Sequence, residues 1–132
     1  MVNVLAKGAL FEIRDEGSLA ICKLHDVKEV TKEEGLRCAQ LIRDTMMDRV
    51  LVKGSHYKGV LFDVREGPST FGPKTRAELG AIFARAQDRK LKVAVLVSSS
   101  ATQRLQFGNL CAEFASGVSR VGRHDDELAD FW

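Results

Sequence analysis

The sequence predicts an α/β fold: a mixed sheet that opens with an antiparallel hairpin, continues as β-α-β units, and has its helices packed on it. Three observations carry this. Two adjoining segments near the start alternate apolar and polar residues, two later runs are almost wholly apolar, and three stretches place Ser or Thr three residues before Glu or Gln ahead of a helical apolar stripe. Alternation suits a half-covered sheet, a continuous apolar strand suits one covered by helices, and the Ser/Thr-x-x-Glu/Gln spacing marks a helix start.

The hairpin comprises Leu10 to Arg14 and Leu19 to His25, joined by the turn composition Asp15-Glu16-Gly17-Ser18. Thr31 and Glu34 form the first capping box, and Leu36, Ala39, Ile42, Met46 and Val50 follow on one helical face. Gly54 and His56 mark the next loop. Gly59 to Val64 is a buried strand, Arg65 to Pro73 a loop, and Thr75 with Glu78 a second capping box. Leu79, Ile82, Phe83 and Ala86 then line a helix that ends in Asp88-Arg89-Lys90. Leu91 to Val97 is the second buried strand, and Ser100 with Gln103 the third capping box. Leu105, Phe107, Leu110, Cys111 and Phe114 form the next apolar face, which Gly117 is placed to end. Val118 to Val121 makes a short last strand, and Asp125 caps a terminal turn carrying Leu128, Phe131 and Trp132.

At 132 residues the chain fits one domain, 1–132, with a 45% hydrophobic and 29% charged composition ordinary for a folded protein. Lys and Arg number 20 against 18 Asp and Glu, a net charge of +2 that gives no push toward nucleic acid or an anionic membrane. Arg85, Arg89, Lys90 and Lys92 cluster where a helix ends and cations suit its dipole. Cys22, Cys38 and Cys111 are odd in number and widely spaced, which argues against a disulfide framework and a structural zinc site. His25, His56 and His124 each lack a ligand-spaced neighbour, so no metal and no cofactor are implied. Met1 to Leu5 does not read as a signal peptide and no run is long enough to span a membrane, so cytoplasmic localisation without membrane insertion is expected.

The stretches GVLFDVREGP and RKLKVAVLVSSS, each leading into a helix, and SRVGRHDDELADFW at the end together resemble the SpoIIAA-like members of the STAS superfamily, from about Leu10 to Trp132. The resemblance implies an opening hairpin, a mixed sheet backed by helices, and bacterial-type regulation through protein–protein contacts, with small-ligand or lipid binding in some relatives. It also implies a phosphorylatable Ser or Thr near an Asp that ends the preceding strand. Asp63 fits that Asp, and Ser69, Thr70 and Thr75 follow it, but the usual compact Asp-x-Ser spacing is replaced by a longer connection broken by Pro68, Gly72 and Pro73. Thr75 reads first as a cap and second as a phosphosite, leaving Ser69 and Thr70 as the exposed candidates.

Ligands of parallel sheets bind beyond the carboxyl ends of the strands, where Glu66 to Gly72 and Ser98-Ser99-Ser100 gather. The serines offer an anion-binding edge or, more simply, a cap at Ser100. Phosphorelay chemistry needs clustered acids for Mg²⁺, and the strand ends here do not supply them. Met46 and Met47 beside Val50-Leu51-Val52 widen the apolar surface toward a partner or a dimer mate, and Phe131 and Trp132 are expected to dock on the sheet or on a second subunit. The leading expectation is a non-enzymatic regulatory or scaffolding module, acting as a homodimer, that docks a protein through Glu66–Gly72, Thr75, Arg76 and Arg85. The alternative is a carrier of a small apolar ligand or lipid.

Overall fold

The computed structural model of the chain describes residues 3–25 and 31–132. Residues 1 and 2, part of the start expected to lack a leader, lie outside the described residues. Six strands form one sheet in the order of the chain: β1 (Asn3–Lys7), β2 (Phe11–Glu16), β3 (Leu19–Leu24), β4 (Gly59–Asp63), β5 (Lys92–Leu96) and β6 (Ser119–Gly122). The first three are antiparallel, and β3 through β6 run parallel. Three helices make the crossovers: α1 (Lys32–Thr45), α2 (Pro73–Asp88) and α3 (Ala101–Phe114). A sheet that adds one parallel neighbour at a time through right-handed crossovers puts every crossover helix on the same face.

The side chains obey that geometry. Phe11 and Ile13, Ala20 and Cys22, Val60 and Phe62, and Val93 and Val95 are buried on the helix-covered face. They share one core with Ile42 of α1, Ile82 and Phe83 of α2, and Phe107 and Leu110 of α3. Full burial of such a side chain contributes about 1.5–3 kcal/mol, so this face dominates stability. On the opposite face Ala94 and Leu96 meet Leu128, Phe131 and Trp132, as expected for a chain end that docks on the sheet. Lys92 ties that end down: its Nζ donates to the carbonyl of Phe131 at 2.6 Å and lies 5.5 Å from the centre of the same ring. Gly59 makes room for Trp132, since a Cβ there would run into the indole and approach the Lys92 carbonyl oxygen at 2.7 Å.

Several elements differ from the sequence expectation. The strand β1 precedes the expected hairpin; its register jumps between Val4 and Ala6, so a bulge at Leu5 erases the alternation that identifies strands. The hairpin turn is tighter than Asp15 to Ser18: Glu16 pairs with Leu19, and only Gly17 and Ser18 turn, with Gly17 at φ +75°. Beyond α1 the helix widens into a π turn (Met46–Val50) that closes through Leu51 N–H to the Met46 carbonyl at 2.7 Å. Met46, Val50 and Leu51 are fully buried by it and belong to the core, while Met47 and Val52 of the apolar surface expected to face a partner stay half-buried.

Helix α2 starts at Pro73 behind the cap Gly72, three residues ahead of the expected cap Thr75, which caps nothing. The fixed φ of proline suits the first helical position, and this overrides the Thr75–Glu78 pattern. Helix α3 ends at Phe114 and not at Gly117, whose N–H donates to Gln87 Oε1 at 2.9 Å. Leu105, expected in the apolar face of α3, is 64% exposed. Asp125 begins a 3₁₀ turn (Asp125–Leu128) that has no side-chain cap. Among the described residues no helix is long and apolar enough to cross a membrane.

Candidate functional site

The carboxyl ends of β4 and β5 and the start of α3 build one polar assembly around Gln103. This side chain is 1% exposed, yet every end of its amide is used. Its Oε1 accepts from Ser98 N–H at 2.7 Å, and its Nε2 donates to the Val64 carbonyl at 2.7 Å and to the Pro68 carbonyl at 3.3 Å. A turn further on, Gln106 Oε1 accepts from Phe71 N–H at 3.1 Å, while the rings of Phe71 and Phe107 meet edge to face at 5.3 Å. The β4–α2 loop is thus fastened to α3 at both ends and in its middle. A buried amide that satisfies two strands and a loop rigidifies what it touches, because leaving any of those groups unpaired is costly.

The exposed residues of the loop sit on this fastened frame. Pro68, Ser69 and Thr70 are exposed, and Gly72 and Pro73 lead directly into α2. Thr75 is half-buried in the first turn of α2. Ser69 and Thr70 therefore remain open to another protein, and Thr75 faces a groove described below.

The residues expected to form a partner surface are dispersed. Glu66 pairs with Lys23 at 3.1 Å near the carboxyl end of β3. Arg76 is engaged with Glu113 of α3 and stands 5.5 Å from the centre of the Phe114 ring. Arg85 lies nine residues along α2, about 13 Å from Arg76 by helical rise. The serines are occupied locally: Ser100 Oγ accepts from Gln103 N–H at 3.2 Å, and Ser98 Oγ accepts from Ser100 N–H at 3.2 Å, leaving Ser99 exposed.

Asp63 ends β4 as the sequence suggests, but Arg65 holds its carboxylate in a two-pronged pair at 2.9 Å and 2.9 Å. Partial burial pushes the Asp63 pKa up. The hydrogen bonds from the Arg65 side chain and backbone, with the charges of Arg65 and Lys23, outweigh it and leave the pKa lowered. Asp63 is thus a held anion that orders the loop entrance. Burial pushes the thiol of Cys22 far above its ordinary range, and burial raises Cys111 as well, so neither is a nucleophile at neutral pH. Among the described residues no group of three or more His, Cys, Asp or Glu side chains is arranged to hold a metal ion.

Beneath the loop lies a groove of about 920 Å³, between the first turns of α1 and α2. Leu24, Leu36, Ile42, Phe71, Leu79 and Phe107 form its apolar wall, and Cys38 opens onto it. The rim carries His25, Lys32 and Lys74 with the hydroxyls of Thr70 and Thr75. Sequence reasoning found Gln103 only as a capping partner and missed Gln106 and the groove. A glutamine repeated after three residues on a core-facing helix was the available signal; the groove had none, because its wall comes from five separate segments of the chain.

Comparison of the chain with protein-family models, with curated proteins and with solved structures gives no match.

Proposed function

We propose that this protein is a non-enzymatic regulatory module whose β4–α2 loop docks a protein partner, the reading that the STAS resemblance implies. One observation carries it: a loop with exposed Pro68, Ser69 and Thr70 is fastened by the buried Gln103 and by Gln106. Holding a loop in one shape before binding lowers the entropy lost on association, and spending a fully buried amide on that purpose suits a recognition surface. Ser69 and Thr70 precede the start of α2 and Lys74, so a phosphate added to either meets a helix N-terminus and a cation.

The test is affinity capture from native lysate with the parent chain and with a Ser69→Asp/Thr70→Asp pair, followed by mass spectrometry. The reading expects one protein in stoichiometric amount with the parent and a changed yield with the variant pair. Stoichiometric capture that ignores the loop variants, or none at all, overturns it. Phosphopeptide mapping that finds Ser69, Thr70 and Thr75 always unmodified removes the phosphoswitch and leaves docking to stand alone.

A further inference from the structure

We infer that a second pocket, at the amino end of the sheet and away from the β4–α2 loop, binds a small hydroxylated phosphate monoester. It lies where residues 52–55, ahead of β4, meet the end of α2 and the turn that follows it, residues 88–91, and it holds about 280 Å³. Three cations, Lys53, Arg89 and Lys90, line it with one acid, Asp88. That lining alone carries a formal charge of +2, as much as the net charge of the whole chain. Among the described residues none of the three cations is engaged in an ion pair. The dipole at the end of α2 suits cations, but it amounts to only about half an elementary charge and leaves about +1.5 unmatched. A phosphate monoester carries about −1.5 to −2 at neutral pH and meets that excess. A carboxylate or a sulfate monoester, with a single charge, leaves part of it.

The backbone supplies a second, independent observation. Lys90 stands at φ +56°, the one non-glycine residue among the described ones in the left-handed region. It ends α2 in the way glycine usually does: its N–H donates to the Gln87 carbonyl at 3.1 Å, and the Leu91 N–H donates to the Ala86 carbonyl at 2.9 Å. Glycine adopts this conformation without a clash between Cβ and the carbonyl, so stability alone favours glycine here over lysine. Strain kept at a charged residue on a pocket wall points to a use for its ammonium group. Across the pocket, Gly54 at φ +79° has open space where a Cβ would stand, so a ligand can approach the backbone closely. Ser55 Oγ already accepts from the Tyr57 N–H at 3.2 Å, which leaves its hydroxyl proton for a ligand oxygen. Asp88 repels a phosphate but accepts from a hydroxyl, which favours a hydroxylated stem. The volume lies just below the roughly 300 Å³ at which pockets for drug-sized ligands begin, so the stem is short. The inference does not depend on whether the β4–α2 loop docks a protein.

The experiment is calorimetry on the full chain at physiological ionic strength, with glycerol 3-phosphate as the probe. One site is expected, with no heat from glycerol alone and weaker binding as pH falls through the second phosphate pKa of about 6. Methyl phosphate should bind at least tenfold more tightly than methyl sulfate, which has the same shape and one charge fewer. Lys53→Gln should weaken glycerol 3-phosphate at least tenfold. Lys90→Gly, which relieves the strain, should do the same while unfolding in urea no earlier than the parent. If it does not fold, Lys53→Gln decides the matter. Arg104→Gln, at an exposed position of α3 outside the pocket, should leave the affinity unchanged and so separate the site from overall charge. A short peptide carrying phosphoserine tests the other source of the same chemistry, and is expected to bind more weakly than glycerol 3-phosphate. The inference is overturned by absence of glycerol 3-phosphate binding, by equal affinity for methyl phosphate and methyl sulfate, or by unchanged affinity in Lys53→Gln. An equal loss in Arg104→Gln, or tighter binding of the phosphopeptide, overturns it as well.

Discussion

Replacing Gln103 with methionine separates the polar role of this side chain from its bulk. Methionine has nearly the same length and flexibility, so no cavity of consequence opens and the transfer of apolar surface changes little. What disappears is the amide. Ser98 N–H loses its 2.7 Å acceptor and the Val64 carbonyl its 2.7 Å donor, while the 3.3 Å contact to Pro68 is weaker and lies nearer solvent. Each buried group left without a partner costs about 1–3 kcal/mol, so two of them predict a loss of about 2–6 kcal/mol. Against a total stability of about 5–15 kcal/mol for an ordinary domain, that is a large fraction. Urea denaturation followed by circular dichroism measures it, with Leu105→Ala as a control, since Leu105 is 64% exposed and its truncation should change little. Backbone amides of the β4–α2 loop should also exchange hydrogen faster in the variant, while those of β2 and β3 change only with the global stability. A Gln103→Met variant within 0.5 kcal/mol of the parent, with unchanged loop exchange, would refute the claim that this amide fastens the loop.

Three further outcomes follow from the same geometry. Gly59→Ala forces a methyl against the Lys92 carbonyl and the Trp132 indole, so it should cost about 1–3 kcal/mol and shift Trp132 fluorescence to the red; an unshifted spectrum would mean the ring does not pack there. Asp63 has a lowered pKa in the folded state, so its pairing with Arg65 stabilises fully above the unfolded carboxylate value of about 3.9 and is lost as pH falls through the lower folded value. The stability gap between parent and Asp63→Asn should accordingly be widest at neutral pH and close below about pH 4 in urea titrations; a gap independent of pH contradicts the pair. In the native, ligand-free protein one thiol, Cys38, should react quickly with a thiol reagent, while Cys22 and Cys111 wait for unfolding; three equal phases would contradict their burial.

The parts of the fold that the sequence revealed are those in which one local pattern meets one environment. Phe11 to Leu24 alternates because one face of the hairpin meets helices and the other does not, and β4 and β5 are apolar because α2 and α3 lie on one side and the chain end or its neighbours on the other. Thr31 and Ser100 announce their helices because a hydroxyl at the cap is a local bond. Elements escape where two local signals compete or where the signal is distant. At the start of α2, Pro73 and Thr75 both signal a helix, and the proline prevails because its backbone angle is already set. The strand β1 hides behind a bulge at Leu5, although Arg49 donates to the Leu5 carbonyl at 3.0 Å from 44 positions away. The candidate site is least legible of all: Ser69 and Thr70 follow from loop composition, but their frame depends on Gln103 and Gln106 reaching back across 35 or more positions.

That long reach bears on how the loop and the groove would influence each other. Phe71 contributes its N–H to Gln106, its ring to Phe107 and its side chain to the groove wall, so the segment a partner would touch and the groove share a residue. Linkage between two such sites is reciprocal, and an occupant changes a partner's affinity only as far as it distinguishes two arrangements of the segment between them. The fastening by Gln103 removes alternatives at Val64 and Pro68, whereas Ser69 and Thr70 lie between the fastened points. Any coupling is therefore confined to Ser69 and Thr70, the residues between the points fastened at Pro68 and Phe71.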